Sequence, residues 1–238
     1  MDVPWGHVAL AGGWGALVSL ERRAFLQAMF SRPLVAATGM GLLLGELQTG
    51  LYLGMVLELF YLGTASLGAA LPENDTLAAT GTTAAAASMA FEGGGGGTAA
   101  LWSVALLLFA GLGRLGRVID RRLEGHSAEL SVRSLGLAER GELEQAVRLN
   151  LWGIWPYALA YFAVNAACAA AGIGLGIALS HAPLVLLRGL AWAFPAMACV
   201  AAAIAARGSH AKRAASWALA GGVGVTAAIL VLAWVGGA

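Results

Sequence analysis

Residues 31–62 read SRPLVAATGMGLLLGELQTGLYLGMVLELFYL. The stretch holds two apolar runs, Leu34 to Leu44 and Leu51 to Leu62. At ~1.5 Å per helical residue the first reaches only about 16 Å, against a hydrocarbon core of ~30 Å. Ser31-Arg32-Pro33 opens the first run as a helix, because proline at a first helical position lacks only a donor that is orphaned anyway. Between the runs lies Glu46-Leu47-Gln48-Thr49-Gly50. Two half-length hydrophobic segments, interrupted by glycine and polar residues, have the pattern of discontinuous or re-entrant transporter helices. Glycines at 39, 41, 45, 50 and 54 permit the close backbone approach that such packing requires. The competing reading is one glycine-rich span with a kink.

Composition supports the membrane setting. Of 238 residues, 59% are hydrophobic and 11% are charged, with a mean hydropathy of +0.77. A soluble domain carries about 25% charged residues, more than twice this share. Disordered chains are charge-rich and apolar-poor, so disorder is excluded. Two cysteines, Cys168 and Cys199, both inside apolar runs, exclude a disulfide scaffold. Fourteen basic against thirteen acidic residues leave a net charge of +1, which offers nucleic acid no basic field. What remains is an all-α polytopic membrane bundle. At ~20 residues per crossing its length allows roughly six to eight elements in one domain over residues 1–238.

The charges organise that domain. Glu21, Arg22 and Arg23 would cost ~2.5–3.5 kcal/mol each deep in hydrocarbon. Residues 5–30 therefore read as a helix ending near Leu20, with 21–31 laid along the surface. Residues 31–75 form the re-entrant element. Pro72 to Thr76 is a polar turn in which Asp75 or Thr76 caps an alanine-rich helix running to Phe91. Gly93–Gly97 is a flexible loop, and Thr98 to Val118 is a full span, so 76–118 holds two spans. Between Arg114 and Arg148 stand seven arginines and six acidic residues, interleaved with leucine and valine. The spacing predicts amphipathic helices at or outside the membrane surface over 119–149. Three spans follow in 150–236: 150–172 and 183–206, kinked by Pro156 and Pro195, and 214–236. Basic loops (21–32, 114–148, 207–213) alternate with loops lacking Lys and Arg (1–6, 92–97, 173–182) if 33–62 enters and leaves on one side. That alternation puts the basic loops in the cytoplasm and both termini outside.

Acidic residues inside hydrophobic segments are expensive and are usually functional. Glu58 stands in such a segment, with Tyr52, Phe60 and Tyr61 close in sequence. A carboxylate beside an aromatic face holds the paired hydroxyls of a polyol. The alternative is a protonated Glu58, or one paired with an arginine for packing. Glu46 with Gln48, and Glu73 with Asn74 and Asp75, flank the same element and are expected to line the same cavity, or else to sit in solvated turns. Gly111 to Gly116 matches G-x-G-x-x-G but ends an apolar helix instead of following a strand, so it is no dinucleotide site. The four histidines are isolated, and no nucleophile elbow or phosphate-binding loop is present. No catalytic residue, metal or cofactor is expected, and whatever drives the chain comes from a partner or a gradient.

An ordered pattern runs through residues 30–80: Ser31-Arg32-Pro33, then Leu44-Gly45-Glu46-Leu47-Gln48-Thr49-Gly50, then Leu57-Glu58, then Gly68-Ala69-Ala70 with Pro72 and Asp75. In order and spacing it resembles the IIC membrane component of the mannose/fructose/sorbose family of the bacterial phosphotransferase system. The resemblance implies a sugar-translocating subunit in the bacterial inner membrane, paired with a IID membrane chain in an oligomeric assembly. It further implies soluble IIA and IIB phosphocarriers, IIB phosphorylating a hexose-like sugar as it is released inside. The family's sugar site falls on Glu58 and, with it, Glu46, Gln48 and Asn74; Asp75 and Tyr61 complete the expected set. Members related to the mannose permease carry an acidic residue shortly before Arg-Pro, where this chain has Phe25-Leu26-Gln27-Ala28, which leaves the sugar open. Two other functions compete. One is a non-transporting membrane anchor or sensor whose working surface is 114–148; the other is an ion-coupled carrier.

Overall fold

The computed structural model describes residues 5–23, 27–62, 72–92, 98–208 and 216, and every regular element among them is an α-helix. The first, α1, spans Trp5–Arg23 and so runs a turn beyond the expected end at Leu20. Its three terminal charges escape hydrocarbon by bonding to other elements. Glu21 Oε2 accepts the Ser31 N–H at 2.9 Å, Arg22 meets Asp75 and Thr76, and Arg23 meets Asp120 and Glu124. Residues 27–32 form an irregular turn, with Gln27 and Met29 at positive φ.

The stretch 31–62 forms two helices, α2 (Pro33–Leu43) and α3 (Leu47–Leu62). Arg32 sits extended at the N-cap with proline following it, as the local sterics require. Gly45 turns the chain at φ +77°, and the Glu46 N–H donates back to Gly41 O at 2.7 Å. The two helices press together backbone to backbone: a Cβ at Gly41 would lie 2.6 Å from Glu46 O, and one at Gly54 3.0 Å from the Leu34 Cα. At ~1.5 Å per residue they measure about 16 and 24 Å. Each is shorter than a bilayer crossing, and the two run antiparallel, with Gly54 against Leu34 and Gly50 against Ala37.

Next comes α4 (Asp75–Glu92). Its cap is Asn74, one residue before the expected pair, whose Oδ1 accepts the Leu77 N–H at 2.8 Å. Alanine, threonine and glycine make α4 thin enough to be buried on all sides, from Thr76 to Met89. It packs in parallel with α8 (Ile154–Ser180): Gly81 lies on Cys168, Gly172 on Ala85 and Gly176 on Met89.

The expected span 98–118 is broken. Helix α5 (Thr98–Phe109) ends at Ala110-Gly111, and α6 (Leu112–Glu139) departs at 41°. The charged region is therefore mostly one amphipathic helix, turned at Gly141 (φ +81°) into α7 (Leu143–Trp152), which packs back on it. Pro156 is the third residue of α8, in the first turn where its missing donor costs nothing, so it ends no helix there. Since α8 continues to Ser180, the expected 173–182 loop shrinks to 181–183. Helix α9 (Leu184–Gly208) contains Pro195. The stretches Leu143–Ser180 and Leu184–Ala206 are long and apolar enough to cross a membrane. The Gly93–Gly97 loop, the Gly68-Ala69-Ala70 turn, most of the basic turn 207–213 and, apart from Ser216, the last span 214–236 lie outside the described residues.

Two levels of the bundle matter below. At the base meet the end of α1, the start of α2, the end of α3, the start of α4 and the α5–α6 break. At the tip stands the α2–α3 turn, where Trp102 of α5 reaches Thr49 of α3.

Candidate functional site

The six residues expected at the site divide between these levels. Glu58, Tyr61, Asn74 and Asp75 stand at the base, and Glu46 and Gln48 stand at the tip. Glu58 lies twelve positions beyond Glu46, about 18 Å along the helix axis at ~1.5 Å per residue. The single cavity expected to hold all of them is therefore two places.

At the base, Glu58 finds protein partners. Its Oε2 accepts the Leu34 N–H at 3.1 Å, and Oε1 lies 3.6 Å from Arg32 Nη1. A carboxylate on the first turn of a helix satisfies an orphan donor and complements the helix dipole. Glu58 thus ties the end of α3 to the start of α2, with its side chain 20% exposed. Tyr61 OH donates to Ala110 O at 2.8 Å, which fixes α3 to the end of α5.

Asn74 is the node of a buried polar network. Its Nδ2 donates to Asp120 Oδ2 at 2.9 Å and to Tyr161 OH at 2.6 Å, and its backbone N–H donates to Gly113 O. Tyr161 OH donates to Asp120 Oδ1, and Arg23 Nη2 lies 2.9 Å from Asp120 Oδ2. Asn74, Asp120 and Tyr161 are each only 2% exposed. Asp75 pairs with Arg22, whose Nη1 also donates to Thr76 Oγ1 at 2.7 Å, while Thr76 Oγ1 donates to Ser31 O. Glu73 stands 3.3 Å from Arg114 Nε and 3.7 Å from Arg117 Nη2. Four elements are joined here with their charges matched.

The tip is less saturated. Trp102 Nε1 donates to Thr49 Oγ1 at 3.0 Å, and Thr49 Oγ1 donates to Glu46 Oε2 at 3.3 Å. Tyr52 stacks on Trp102 with centroids 4.8 Å apart, and Phe194 of α9 closes the group edge-on, 5.0 Å from Trp102. Gln48 and Tyr52, one helical turn apart on α3, are both exposed.

Two cavities adjoin these levels. One of about 380 Å³ near the base is lined by Arg23, Ser127, Ser131, Asn150 and Tyr157. The other, about 450 Å³ and apolar, lies among Phe60, Leu106, Met197 and Val200 on α3, α5 and α9. Neither is lined by Glu46 or Glu58. Among the described residues no three of His, Cys, Asp and Glu stand together as metal ligands.

Sequence reasoning missed Asp120, Tyr161 and Trp102. Asp120 lay in a charge-rich run that read as a solvated face, and nothing local distinguishes it from Glu124 or Glu129. Trp102 and Tyr161 read as ordinary aromatic residues of apolar spans.

Comparison with known proteins bears on the whole chain. A family model described as the sorbose-specific IIC component of the PTS system matches residues 5–236. The sorbose-specific EIIC component of Klebsiella pneumoniae is 50% identical over 48 residues, which cover 20% of this chain and 18% of that protein. The mannose-specific EIIC component of Escherichia coli K12 is 35% identical over 72 residues, 30% of this chain and 24% of that one. The matched stretches thus span less than a quarter of either relative. In three dimensions the chain resembles one solved in the complex of the mannose transporter ManYZ with microcin E492. That likeness has a TM-score of 0.61 at 18% identity, over 99% of this chain and 96% of the other, and it concerns the fold alone.

Proposed function

The chain belongs to the sorbose-specific IIC component family of the phosphotransferase system, and from that premise we propose that it carries a hexose-like sugar inward for phosphorylation by a IIB partner. It is a membrane-embedded sugar-transport component; direction, substrate, partners and site are the proposal. One observation carries the site. If α2 starts at the membrane surface, the polar turn Glu46-Leu47-Gln48-Thr49, about 16 Å from its start at ~1.5 Å per residue, falls near the middle of a ~30 Å core, which supports this reading. Substrate sites of secondary carriers lie near the midplane, on discontinuous helices.

In this reading Glu46 and Gln48 meet the sugar's hydroxyls, because their side chains retain bonding capacity at that depth. Glu58, Asn74, Asp75 and Tyr61 hold the hairpin and α4 in register, since each already has bonds to the protein. The base is cytoplasmic: Arg22, Arg23, Arg32, Arg114 and Arg117 gather there, in accord with the positive-inside rule. Sugar reaches the tip from outside and leaves past the base to the IIB protein, with a IIA protein upstream. Exposed Leu47, Leu51 and Met55 on the hairpin leave room for a second membrane chain of the IID kind.

The test is uptake of labelled sorbose, fructose and mannose by cells expressing the full chain with its phosphotransferase partners. Glu46→Gln is expected to abolish uptake of the transported sugar, with membrane insertion intact. Undiminished uptake would refute the site.

A further inference from the structure

We infer that Tyr52 and Trp102 form an aromatic wall of the sugar subsite at the hairpin tip, and that Trp102 acts through Thr49 to aim the Glu46 carboxylate. The inference rests on the proposed placement of sugar at the tip and adds residues outside the motif that marks the family.

The hydrogen-bond directions are fixed by chemistry. An indole nitrogen only donates, so Thr49 Oγ1 must accept from Trp102 Nε1 at 3.0 Å. The hydroxyl's single proton is then directed at Glu46 Oε2, 3.3 Å away. Trp102 is 8% exposed and Thr49 is 1% exposed, so both are held by packing before any ligand arrives. The chain Trp102–Thr49–Glu46 occupies one carboxylate oxygen and leaves Oε1 for a ligand. Trp102 belongs to α5 and Thr49 to α3, so the direction of the carboxylate depends on how these helices pack.

The wall is Tyr52. One face of its ring lies on Trp102, tilted by 31°, and Phe194 meets its edge at 89°. Even so Tyr52 remains 43% exposed, which leaves ring surface uncovered. It shares a face of α3 with exposed Gln48. A carboxylate oxygen, an amide and an open aromatic face thus stand at one level of the hairpin. The chemistry that fits all three is a closed-ring sugar, whose hydroxyls bond at its edge while its C–H face lies on the ring. An open-chain polyol offers the same hydroxyls without the flat face. Trp102 is a positioning residue, and Tyr52 sets the preference for a ring over a chain.

The experiment is equilibrium binding to native membrane vesicles carrying the full-length chain. The probes are labelled sorbose, fructose and mannose, with sorbitol as open-chain competitor. Trp102→Phe and Thr49→Val are expected to weaken binding of the bound sugar about tenfold, the scale of one well-placed hydrogen bond. Thr49→Ser restores it, which a loss of packing alone would not allow. Tyr52→Leu weakens the ring sugar about tenfold and lowers the preference over sorbitol by a similar factor. If Trp102→Phe proves unstable, Thr49→Val tests the same bond with the aromatic group intact. Should Glu46→Gln abolish binding while Trp102→Phe, Thr49→Val and Tyr52→Leu leave it unchanged, the aromatic wall is overturned and the tip site stands. A Tyr52→Leu variant that weakens sugar and sorbitol equally overturns the ring preference. Binding that survives Glu46→Gln removes the tip site, and this inference with it.

Discussion

Replacing Asp120 by alanine should destabilise the bundle by about 3–5 kcal/mol, a figure that follows from its partners. Asp120 takes one bond from Asn74 at 2.9 Å, one from the Tyr161 hydroxyl, and the charge of Arg23 at 2.9 Å. Without it, one amide proton of Asn74 and the hydroxyl proton of Tyr161 lose their acceptor in a buried place, at ~1–3 kcal/mol each. Arg23 suffers less than a fully buried ion would. It keeps Glu124 and its side chain is 26% exposed, so water screens part of the loss. Tyr161→Phe alone removes one hydroxyl, at about 1–2 kcal/mol. In the double variant the orphaned Tyr161 donor no longer exists, so the two costs should fall short of additive by about 1–2 kcal/mol. The measurement is unfolding of the full chain in mixed micelles, followed by tryptophan fluorescence. An Asp120→Ala loss under about 1 kcal/mol, or strict additivity with Tyr161→Phe, would show that the network does not hold α1, α4, α6 and α8 together.

Three further outcomes are expected in the same unfolding assay. Gly172→Ala sets a methyl against the Ala85 carbonyl and forces α4 from α8, costing about 1–3 kcal/mol; Gly174→Ala, with nothing within 4 Å, should gain up to about 1 kcal/mol from helix propensity. Equal effects would show that α4 and α8 do not pack on those glycines. Gly45→Ala should cost about 1–2 kcal/mol through backbone strain alone, because φ is +77° there and its site is otherwise open, and Gly45→Asn should cost less. Glu58→Ala should lose about 1 kcal/mol by uncapping α2, while Glu58→Gln, which still accepts from Leu34, should lose less; the reverse order would contradict the capping role.

The fold was largely legible in the chain itself. Run length against bilayer thickness separated the half-length pair 33–62 from the long spans, and the Ser31-Arg32-Pro33 start located α2 to the residue. Both are local properties, fixed by rise per residue and by proline's geometry. The errors were local signals overridden from elsewhere. Helix α1 outran Leu20 because Ser31, Asp75, Thr76, Asp120 and Glu124 receive its charges, and Asn74 displaced Asp75 as the cap because Gly113, Asp120 and Tyr161 hold it in place.

The candidate site divides along the same line. Sequence alone marked Glu58 as a costly charge in apolar surroundings, since that cost depends only on near neighbours, and set Glu46 in a polar turn beside it. It could not say that Glu58 would be spent on the Leu34 amide, nor that Trp102, more than fifty residues away, would aim Thr49 at Glu46. Asp120 is the sharpest case: its neighbours in sequence are charged, so it reads as solvated, yet the crossing of α6 over α1, α4 and α8 buries it. Hydropathy is written residue by residue along the chain. Which buried donor meets which acceptor is decided only when helices distant in sequence pack and bring their side-chain atoms to hydrogen-bond distance, as Asn74 and Asp120 are at 2.9 Å.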